Sequence, residues 1–278
     1  MSGIEEKIKP EIISASVRGY LRRYARAGLD LVFPPQPLWA AHNVFAHNVF
    51  APNVFAERRE TPRLSLIDDP QCACCGFPFP YDLGADVLCG NCTASPPIYD
   101  RARAAFIYDA HSRAPILSLK HGGQTHGLPV FARQLARAGR SLFDGADVLI
   151  PVPLHAQRLR DRRFNQAALL ARTLSRLKNI PFDAASLQRI KATASQGGKT
   201  VSGRRRNMQG AFKVDTDRWV HIKGQNIILI DDVLTTGATV QACARALKRV
   251  GAARVDVLTL ARVVKEQSPD EALADTIM

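Results

Sequence analysis

The sequence predicts an α/β protein with an open, mostly parallel sheet, and a strand–loop–helix–strand unit around residue 230 carries most of that prediction. Residues 227–230 are four consecutive large aliphatic side chains, which is typical of a short strand buried on both faces. A helical pattern follows, with an apolar face made of Val240, Cys243, Ala244, Leu247 and Val250. Gly251 is a suitable C-cap, and residues 255–260 predict the next strand. The loop before the helix therefore lies at the carboxyl end of a strand, where open α/β sheets bind ligands.

The upstream sequence supplies further elements of the same domain. Strands are predicted at 104–108 and 147–150, and two helices between them are predicted at 115–120 and 128–138. One long helix is predicted after the turn at 151–154, with an inward face made of Leu159, Phe164, Ala167, Leu170, Leu174 and Leu177. Residues 191–210 are rich in glycine, serine and basic side chains, which predicts a mobile basic loop. We therefore expect one α/β domain over residues 98–264.

The loop after residue 230 carries the most specific chemistry in the chain. Two adjacent carboxylates, Asp231 and Asp232, end the strand, and the residues that follow include Thr235, Thr236, Gly237, Ala238 and Thr239. Backbone N–H groups at a helix N-terminus suit a phosphate dianion, and a glycine lets the backbone approach it closely. The paired acids would repel that phosphate, so they suit sugar hydroxyls with a divalent cation nearby. A ligand with a 5′-phosphate and a free ribose diol fits both halves. The alternative is an ordinary buried strand followed by a capped helix.

The cysteines form the second specific pattern. Two Cys-x2-Cys pairs, separated by a short turn-rich stretch, are formed by Cys72, Cys75, Cys89 and Cys92. This spacing suits tetrahedral Zn²⁺. Gly76 follows the first pair, where a positive φ is often needed, and Cys74 is a spare thiol that could compete with the ligands. The alternatives are disulfides, which a reducing compartment disfavours, and four unrelated buried thiols.

The composition limits the class of protein. A length of 278 residues suits one full-size domain with smaller pieces. The net charge of +13 favours polyanionic ligands such as phosphates, nucleotides or nucleic acid, or else a basic surface that serves only solubility. The first residues lack a signal-peptide pattern, and no apolar run reaches membrane-spanning length. We therefore expect a cytoplasmic protein with reduced thiols and no membrane association.

The N-terminal part of the chain carries weaker signals. Residues 4–30 have helical spacing with a basic face, and residues 42–56 repeat one pentapeptide three times. Such a short repeat predicts a poorly ordered linker rather than a solenoid. The expected organisation is a helical segment, a low-complexity insert, a zinc ribbon, the α/β domain and a disordered tail, at 1–36, 37–70, 71–97, 98–264 and 265–278.

Several sequence blocks occur together in one order and carry a family resemblance. They are the cysteine pairs, Pro-Val-Pro-Leu-His at 151–155, Arg-Arg-Phe-Asn-Gln at 162–166, the basic run at 195–212 and the loop at 231–239. That loop closely resembles the motif with which type I phosphoribosyltransferases bind phosphoribosyl pyrophosphate (PRPP). Together the blocks resemble the ComF family, competence proteins that combine a zinc ribbon with a type I phosphoribosyltransferase-like domain.

The resemblance covers about residues 71–264 and, more weakly, residues 31–36. It also has one departure. Many members of the family carry another cysteine ribbon directly after a Phe-Pro-Pro segment, whereas no cysteine precedes Cys72 here. We interpret residues 37–70 as a degenerate first ribbon.

The resemblance implies a set of functional residues. Asp231 and Asp232 would be the catalytic acids that hold the ribose hydroxyls of PRPP, and the 5′-phosphate would be bound by Thr235, Thr236, Gly237, Ala238 and Thr239. The pyrophosphate would be bound by the turn with Pro153 and Leu154 and by a closing loop with Arg204, Arg205 and Arg206. The implied cofactors are structural Zn²⁺, held by the four paired cysteines, and Mg²⁺, which accompanies PRPP.

Three functions stay open from the sequence. The first is a PRPP-binding phosphoribosyltransferase-like protein of nucleotide metabolism, whose acceptor and activity the sequence does not define. The second is an accessory protein of natural transformation that binds single-stranded DNA beside a helicase-like ATPase, which the basic charge favours. The third is a regulator that senses PRPP and has lost catalysis.

Overall fold

The described structure is a parallel α/β sheet with a small antiparallel hairpin. The computed structural model describes residues 64–119, 127–191 and 210–264. The strands are β1 Ala102–Ile107, β2 Val148–Pro151, β3 Leu187–Arg189, β4 Phe212–Val214, β5 Asn226–Leu234 and β6 Arg254–Arg262. The main sheet has the order β1-β6-β5-β2 with all pairs parallel, and β3 pairs with β4 antiparallel. The predicted open, mostly parallel sheet is confirmed.

Helices cover both faces of this sheet. The helices are α1 Gly90–Ala94, α2 Ala110–Ser118, α3 Leu128–Ala138, α4 Ala156–Arg162, α5 Gln166–Lys178 and α6 Ala238–Arg249. Short 3-10 helices span Arg140–Leu142 and Thr216–His221. On one face, Ile228 and Ile230 of β5 pack in the same core as residues of α3 and α5. On the other face, Ile227 and Leu229 share a core with α6, the hairpin and the cysteine segment. This burial on both faces explains the unbroken apolar run of β5.

The predicted single long helix after β2 is wrong, because the chain forms two helices there. Arg163 ends α4 in the left-handed conformation with φ of 64°. Asn165 then begins α5, and its side chain accepts a hydrogen bond from the backbone N–H of Ala167 at 3.1 Å. Leu177, which we predicted to face inward, is 50% exposed. The break gives α5 its own N-cap beside the β2–α4 turn.

The other differences lie at element boundaries. The helix predicted at 115–120 begins earlier, because Asp109 caps α2 by accepting from the backbone N–H groups of His111 and Ser112. The β3–β4 hairpin was not predicted, since each of its strands has only three residues. The hairpin brackets the predicted basic loop, of which residues 192–209 lie outside the described residues.

Several predictions concern residues that the structure does not describe. The N-terminal helical segment, the pentapeptide repeat and the tail at 265–278 all lie outside the described residues. The division of the chain into five parts therefore stays a prediction. Within the described ranges, the helices are too short or too polar to cross a lipid bilayer.

Candidate ligand-binding site and metal centre

Two adjacent carboxylates lie near the carboxyl end of β5, which is a central strand of the sheet. β5 extends beyond its predicted end, so Asp231 and Asp232 belong to its last residues. Each carboxylate accepts from the next backbone N–H: Asp232 N donates to Asp231 Oδ1 at 2.9 Å, and Val233 N donates to Asp232 Oδ1 at 2.7 Å. Both side chains are half-buried. These local hydrogen bonds hold two acids at the edge where parallel sheets bind ligands.

The loop from Thr235 leads directly into the N-terminus of α6. Gly237 is the N-cap in the left-handed conformation with φ of 73°, and α6 begins without a side-chain cap or an acidic residue in its first turn. Thr235 is exposed, while Ala238 is buried and can offer a ligand only its backbone N–H. A helix of twelve residues that starts without a side-chain cap presents N–H groups and a positive dipole end to an anion.

The turn with Pro153 and Leu154 lies beside the two acids. The backbone N–H of Val152 donates to the carbonyl of Ile230 at 2.9 Å, one residue before Asp231. Asn165 Nδ2 donates to the carbonyl of Val152 at 3.0 Å, which ties the turn to the start of α5. The structure therefore brings the turn and the β5 carboxylates together through the parallel pairing of β2 with β5.

Arg189, near Asp231, and Arg158, near Arg189, were missed in the sequence. Arg189 ends β3, and its guanidinium carbon lies 5.5 Å from the ring centroid of Phe212. Burial lowers the pKa of Arg189, the charge of Arg158 lowers it further, and Cys243 and Asp231 oppose that shift. The guanidinium of Arg189 thus lies within electrostatic reach of both Arg158 and Asp231. Recognising Arg189 required the hairpin, since in the sequence it only precedes a basic loop. The predicted Arg204, Arg205 and Arg206 lie outside the described residues.

Cys243 lies beneath this group of charges. Its side chain is fully buried on α6. Burial raises the pKa of the Cys243 thiol well above its usual value, the carboxylate of Asp231 raises it further, and Arg189 opposes the shift. The thiol is therefore protonated at neutral pH, and it serves as an apolar packing group under the site.

The four paired cysteines form one compact cluster. The sulfur atoms of Cys72, Cys75, Cys89 and Cys92 all lie within 4.8 Å of one another. Cys72 Sγ accepts from the backbone N–H of Cys75 at 3.4 Å and of Cys89 at 3.3 Å, as expected where a metal-binding turn surrounds a thiolate. Gly76 has the predicted positive φ, of 67°. Four soft sulfur donors in a tetrahedral-sized cluster could hold a zinc ion.

The electrostatics of the cluster also favour a cation. Burial would raise the pKa of Cys72, but hydrogen bonds from the backbone N–H groups of Cys89, Cys75 and Cys74 lower it to about 7. Burial raises the pKa of Cys92, and the charge of Cys75 raises it further. Neighbouring thiolates repel one another electrostatically, and a bound divalent cation offsets this repulsion.

The cysteine segment is anchored to the sheet by backbone and arginine contacts. The backbone N–H of Ala102 donates to the carbonyl of Cys74 at 2.6 Å. Arg262, only 9% exposed at the end of β6, donates to the carbonyl of Cys75 at 2.6 Å and stacks 5.2 Å from the ring centroid of Phe77. Cys74 donates to the carbonyl of Asp100 at 3.6 Å and does not belong to the compact cluster. The segment is thus an integral part of the α/β core.

The fold and the two sites define a phosphoribosyltransferase-type α/β domain that carries a cysteine cluster. Residues 167–278 match the Phosphoribosyl transferase domain family. The chain belongs to the ComF family. It is 31% identical over 222 residues to DNA utilization protein YhgH of Escherichia coli O157:H7. The alignment covers 73% of this chain and 88% of that protein.

One further relative and one solved structure are also similar to parts of this chain. Competence protein F of Haemophilus influenzae is 31% identical over 198 residues, which covers 69% of this chain and 85% of that protein. A purine phosphoribosyltransferase from Pyrococcus horikoshii Ot3 is similar at 18% identity with a TM-score of 0.31, over 49% of this chain and 73% of that chain.

Proposed function

We propose that this protein binds PRPP with Mg²⁺ at the carboxyl edge of β5. The observation that supports this most strongly is the meeting of three groups at one edge: the carboxylates of Asp231 and Asp232, the start of α6 without a side-chain cap, and the turn hydrogen-bonded to Ile230. PRPP has a ribose diol, a 5′-phosphate and a pyrophosphate. Each group of the ligand therefore has a chemically suitable counterpart.

The ribose phosphate half rests on β5 and α6. Carboxylate oxygens accept hydrogen bonds from sugar hydroxyls, which is the role that we propose for Asp231 and Asp232. The 5′-phosphate would accept from the backbone N–H groups and hydroxyls of the 235–239 loop, with Gly237 supplying the left-handed turn. The acids precede the loop by only a few residues, so the backbone fixes the separation between the diol-binding carboxylates and the phosphate-binding loop.

The pyrophosphate half rests on the β2–α4 turn and on basic side chains. Pro153 and Leu154 follow a backbone that is held by two hydrogen bonds at Val152. Arg189 contributes positive charge near Asp231, and Arg158 lies close to Arg189. We propose that these two arginines, joined by Arg204–Arg206 of the basic loop, neutralise the pyrophosphate. Mg²⁺, when bound near Asp231 and Asp232, would stabilise the negative charge of the departing pyrophosphate.

Phosphoribosyl transfer is the reaction that such binding would serve. A nitrogen of an acceptor would form a bond to C1 of the ribose as the bond from C1 to the pyrophosphate oxygen breaks. The leaving pyrophosphate would stay with the turn and the arginines. A PRPP-sensing regulator would use the same site without this step, so release of pyrophosphate separates the two proposals.

Calorimetric titration with PRPP tests the proposed site. The double variant Asp231→Asn with Asp232→Asn keeps the size of both side chains, and we expect it to weaken PRPP binding by about 10- to 100-fold, about 1.4–2.7 kcal/mol. It should also reduce the dependence on Mg²⁺, while circular dichroism stays unchanged because neither acid is fully buried. The matched control is Asp82→Asn with Asp144→Asn, two exposed acids far along the chain from β5. Equal binding by both double variants would refute the assignment.

A DNA-linked accessory role is the second candidate. Its support is the names of the relatives, which refer to DNA utilization and competence, together with the net charge of +13. We propose that such a role would show as binding of single-stranded DNA with a steep dependence on salt, because phosphate contacts release counterions. Titrating PRPP and single-stranded DNA into one preparation at several salt concentrations compares the two candidates directly.

A further inference from the structure

A half-exposed tryptophan lies at the opposite edge of the sheet from the proposed PRPP site. Trp219 is 52% exposed and the adjacent Val220 is 84% exposed, both in the 3-10 helix between β4 and β5. This helix leads into the amino end of β5, where the backbone N–H of Gly224 donates to the carbonyl of Gly251 at 2.8 Å. Asn226 and Asp231 are five residues apart on β5, or about 17 Å at the usual rise of a strand. The tryptophan is therefore remote from the acids.

The indole ring is held in place although it is exposed. Its Nε1–H donates to the carbonyl of Val250 at 3.2 Å, at the end of α6. The backbone carbonyl of Trp219 accepts from Ile222, whose side chain is only 1% exposed and anchors the helix in the core. With its polar atom satisfied and its backbone fixed, the indole offers a preorganised flat surface that costs little conformational entropy on binding.

Basic residues neighbour Trp219 and the Val250 carbonyl along the chain. Lys223 follows the helix, and its Cγ lies 3.3 Å from the position of a Cβ built on Gly251, next to the Val250 carbonyl that Trp219 contacts. Arg249 precedes Val250 at the end of α6, and His221 lies in the same 3-10 helix. Within the described part of the chain, Lys223 and Arg249 make no ion pair.

In the described part of the chain, the acids of this segment form no ion pair with Lys223 or Arg249. Arg218 pairs with Asp183 at 3.6 Å. The 3-10 helix has the sequence Thr-Asp-Arg-Trp-Val-His, in which Asp217 is the one acidic residue. The surroundings of the indole thus keep Lys223 and Arg249 as exposed cations.

We propose that Trp219, Lys223 and Arg249 form a binding site for single-stranded nucleic acid, an inference that rests on the DNA-linked candidate function. The indole stacks on one unstacked base, Val220 contacts the sugar or a second base, and the two cations contact flanking phosphates. Stacking on an aromatic side chain with basic neighbours is the usual chemistry of binding without sequence preference. Two exposed apolar side chains are too few for a stable protein interface, which buries about 800 Å² on each partner. Duplex DNA hides its base faces and leaves the indole unused.

Intrinsic fluorescence tests the stacking directly, because the chain has only two tryptophans, Trp39 and Trp219. In the full chain carrying Trp39→Phe, Trp219 is the sole reporter. We expect an oligothymidylate of about 20 nucleotides to quench its fluorescence saturably, since stacking places a base on the indole. A duplex of the same length should not quench it. Absence of quenching by the single strand would overturn the proposal, as would quenching by the duplex alone.

Variants separate the stacking from the charge. Trp219→Ala should weaken oligothymidylate binding about tenfold in fluorescence anisotropy, and Trp219→Phe should restore most of it. The matched control is Leu177→Ala, which removes another half-exposed apolar side chain, on α5. Lys223→Gln with Arg249→Gln should reduce the salt slope by about 1.4, at about 0.7 for each lost phosphate contact. Equal effects of Trp219→Ala and Leu177→Ala would contradict the site.

Two further outcomes also decide the matter. The proposal is independent of the phosphoribosyl site, so Trp219→Ala should leave PRPP binding unchanged. A loss of PRPP binding in this variant would indicate a general structural role and would overturn the proposal. A blue shift of Trp219 fluorescence with anionic phosphatidylserine vesicles, without any response to the oligothymidylate, would assign the patch to a membrane surface instead.

Discussion

The cysteine segment and the loop after β5 both have the chemistry of binding sites, but they are assembled in different ways. The cysteine cluster is made of four side chains from one short segment, and its sulfur atoms are already within 4.8 Å of one another. The β5 site combines a loop with the β2–α4 turn and with Arg189 of the hairpin, which come from distant parts of the chain. The geometry of the first site therefore depends on the four cysteines of one segment. The geometry of the second depends on the folded sheet, which brings distant segments together. Changes in the first should therefore affect folding, and changes in the second should affect binding more than folding.

The largest effect is expected from loss of a cysteine ligand. Cys89→Ser should abolish stoichiometric binding of about one zinc per chain and lower the melting temperature. Structural zinc sites contribute apparent binding energies on the order of 10 kcal/mol, and Cys72, Cys75 and Cys92 pack in the same core as β5 and β6. Elemental analysis by mass spectrometry and thermal unfolding measure the two effects.

Cys74→Ser is the matched control for this variant. It removes a thiol of the same segment that does not belong to the compact cluster, so zinc content should stay near one per chain. If Cys74→Ser lost the metal and Cys89→Ser kept it, the assignment of the ligands would be wrong.

A smaller effect, on binding more than on stability, is expected at Gly237. A β-branched residue at its φ of 73° costs about 1–2 kcal/mol and would occupy the proposed phosphate site. Gly237→Val should therefore weaken PRPP binding at least thirtyfold, or about 2 kcal/mol. A built Cβ meets no atom closer than 3.8 Å, so the protein should still fold.

Gly145→Val separates strain from ligand contact. Gly145 has a similar φ of 66° and no atom within 4 Å of a built Cβ, but it lies in an exposed turn before β2. We expect a similar fall in melting temperature with unchanged PRPP affinity. A comparable loss of affinity in both variants would show that strain alone explains the Gly237 result.

An effect of about tenfold is expected at Arg189. Arg189→Gln removes one positive charge from the proposed pyrophosphate half, so it should weaken PRPP binding about tenfold. Binding of ribose 5-phosphate, which lacks the pyrophosphate, should change little. Arg163→Gln removes an exposed arginine near the same turn and serves as the control. Competition titrations with the two ligands distinguish a specific contact from general loss of charge, which would weaken both ligands equally.

Both sites illustrate what the sequence could predict. The four cysteine ligands follow a fixed local spacing, and their clustering agrees with it. The position of Asp231 and Asp232 followed from an aliphatic run that ends in acids, because parallel strands expose their carboxyl ends at one edge. Local patterns of this kind are visible without knowledge of distant contacts.

The missed features depend on contacts between distant segments. Arg189 approaches Asp231 only because β3 pairs with β4 across a long loop, and three-residue strands leave almost no periodic signal. The break between α4 and α5 depends on Arg163 in a left-handed conformation, which periodicity cannot reveal when apolar residues continue at helical spacing. Leu177 illustrates the same limit, since its spacing fits the inward face although the last turn of α5 extends beyond the core.

The smallest effect is expected from the pentapeptide repeat. Residues 42–56 lie outside the described residues and contain no group that the proposed site requires. Deleting them should change PRPP affinity by less than about threefold, under ~1 kcal/mol. A larger loss, measured by calorimetry on the folded deletion variant, would mean that this segment contributes to the site.

Calorimetric titration of the wild-type chain with PRPP, ribose 5-phosphate and pyrophosphate, each at millimolar Mg²⁺, tests the central claim most directly. The proposed site predicts that PRPP binds more tightly than either fragment, that each fragment competes with it, and that omitting Mg²⁺ weakens PRPP most. The contradicting result is no PRPP binding at millimolar Mg²⁺ while single-stranded DNA binds the same preparation with a steep salt slope. The loop after β5 would then be a retained scaffold, and the DNA-linked role would stand in its place.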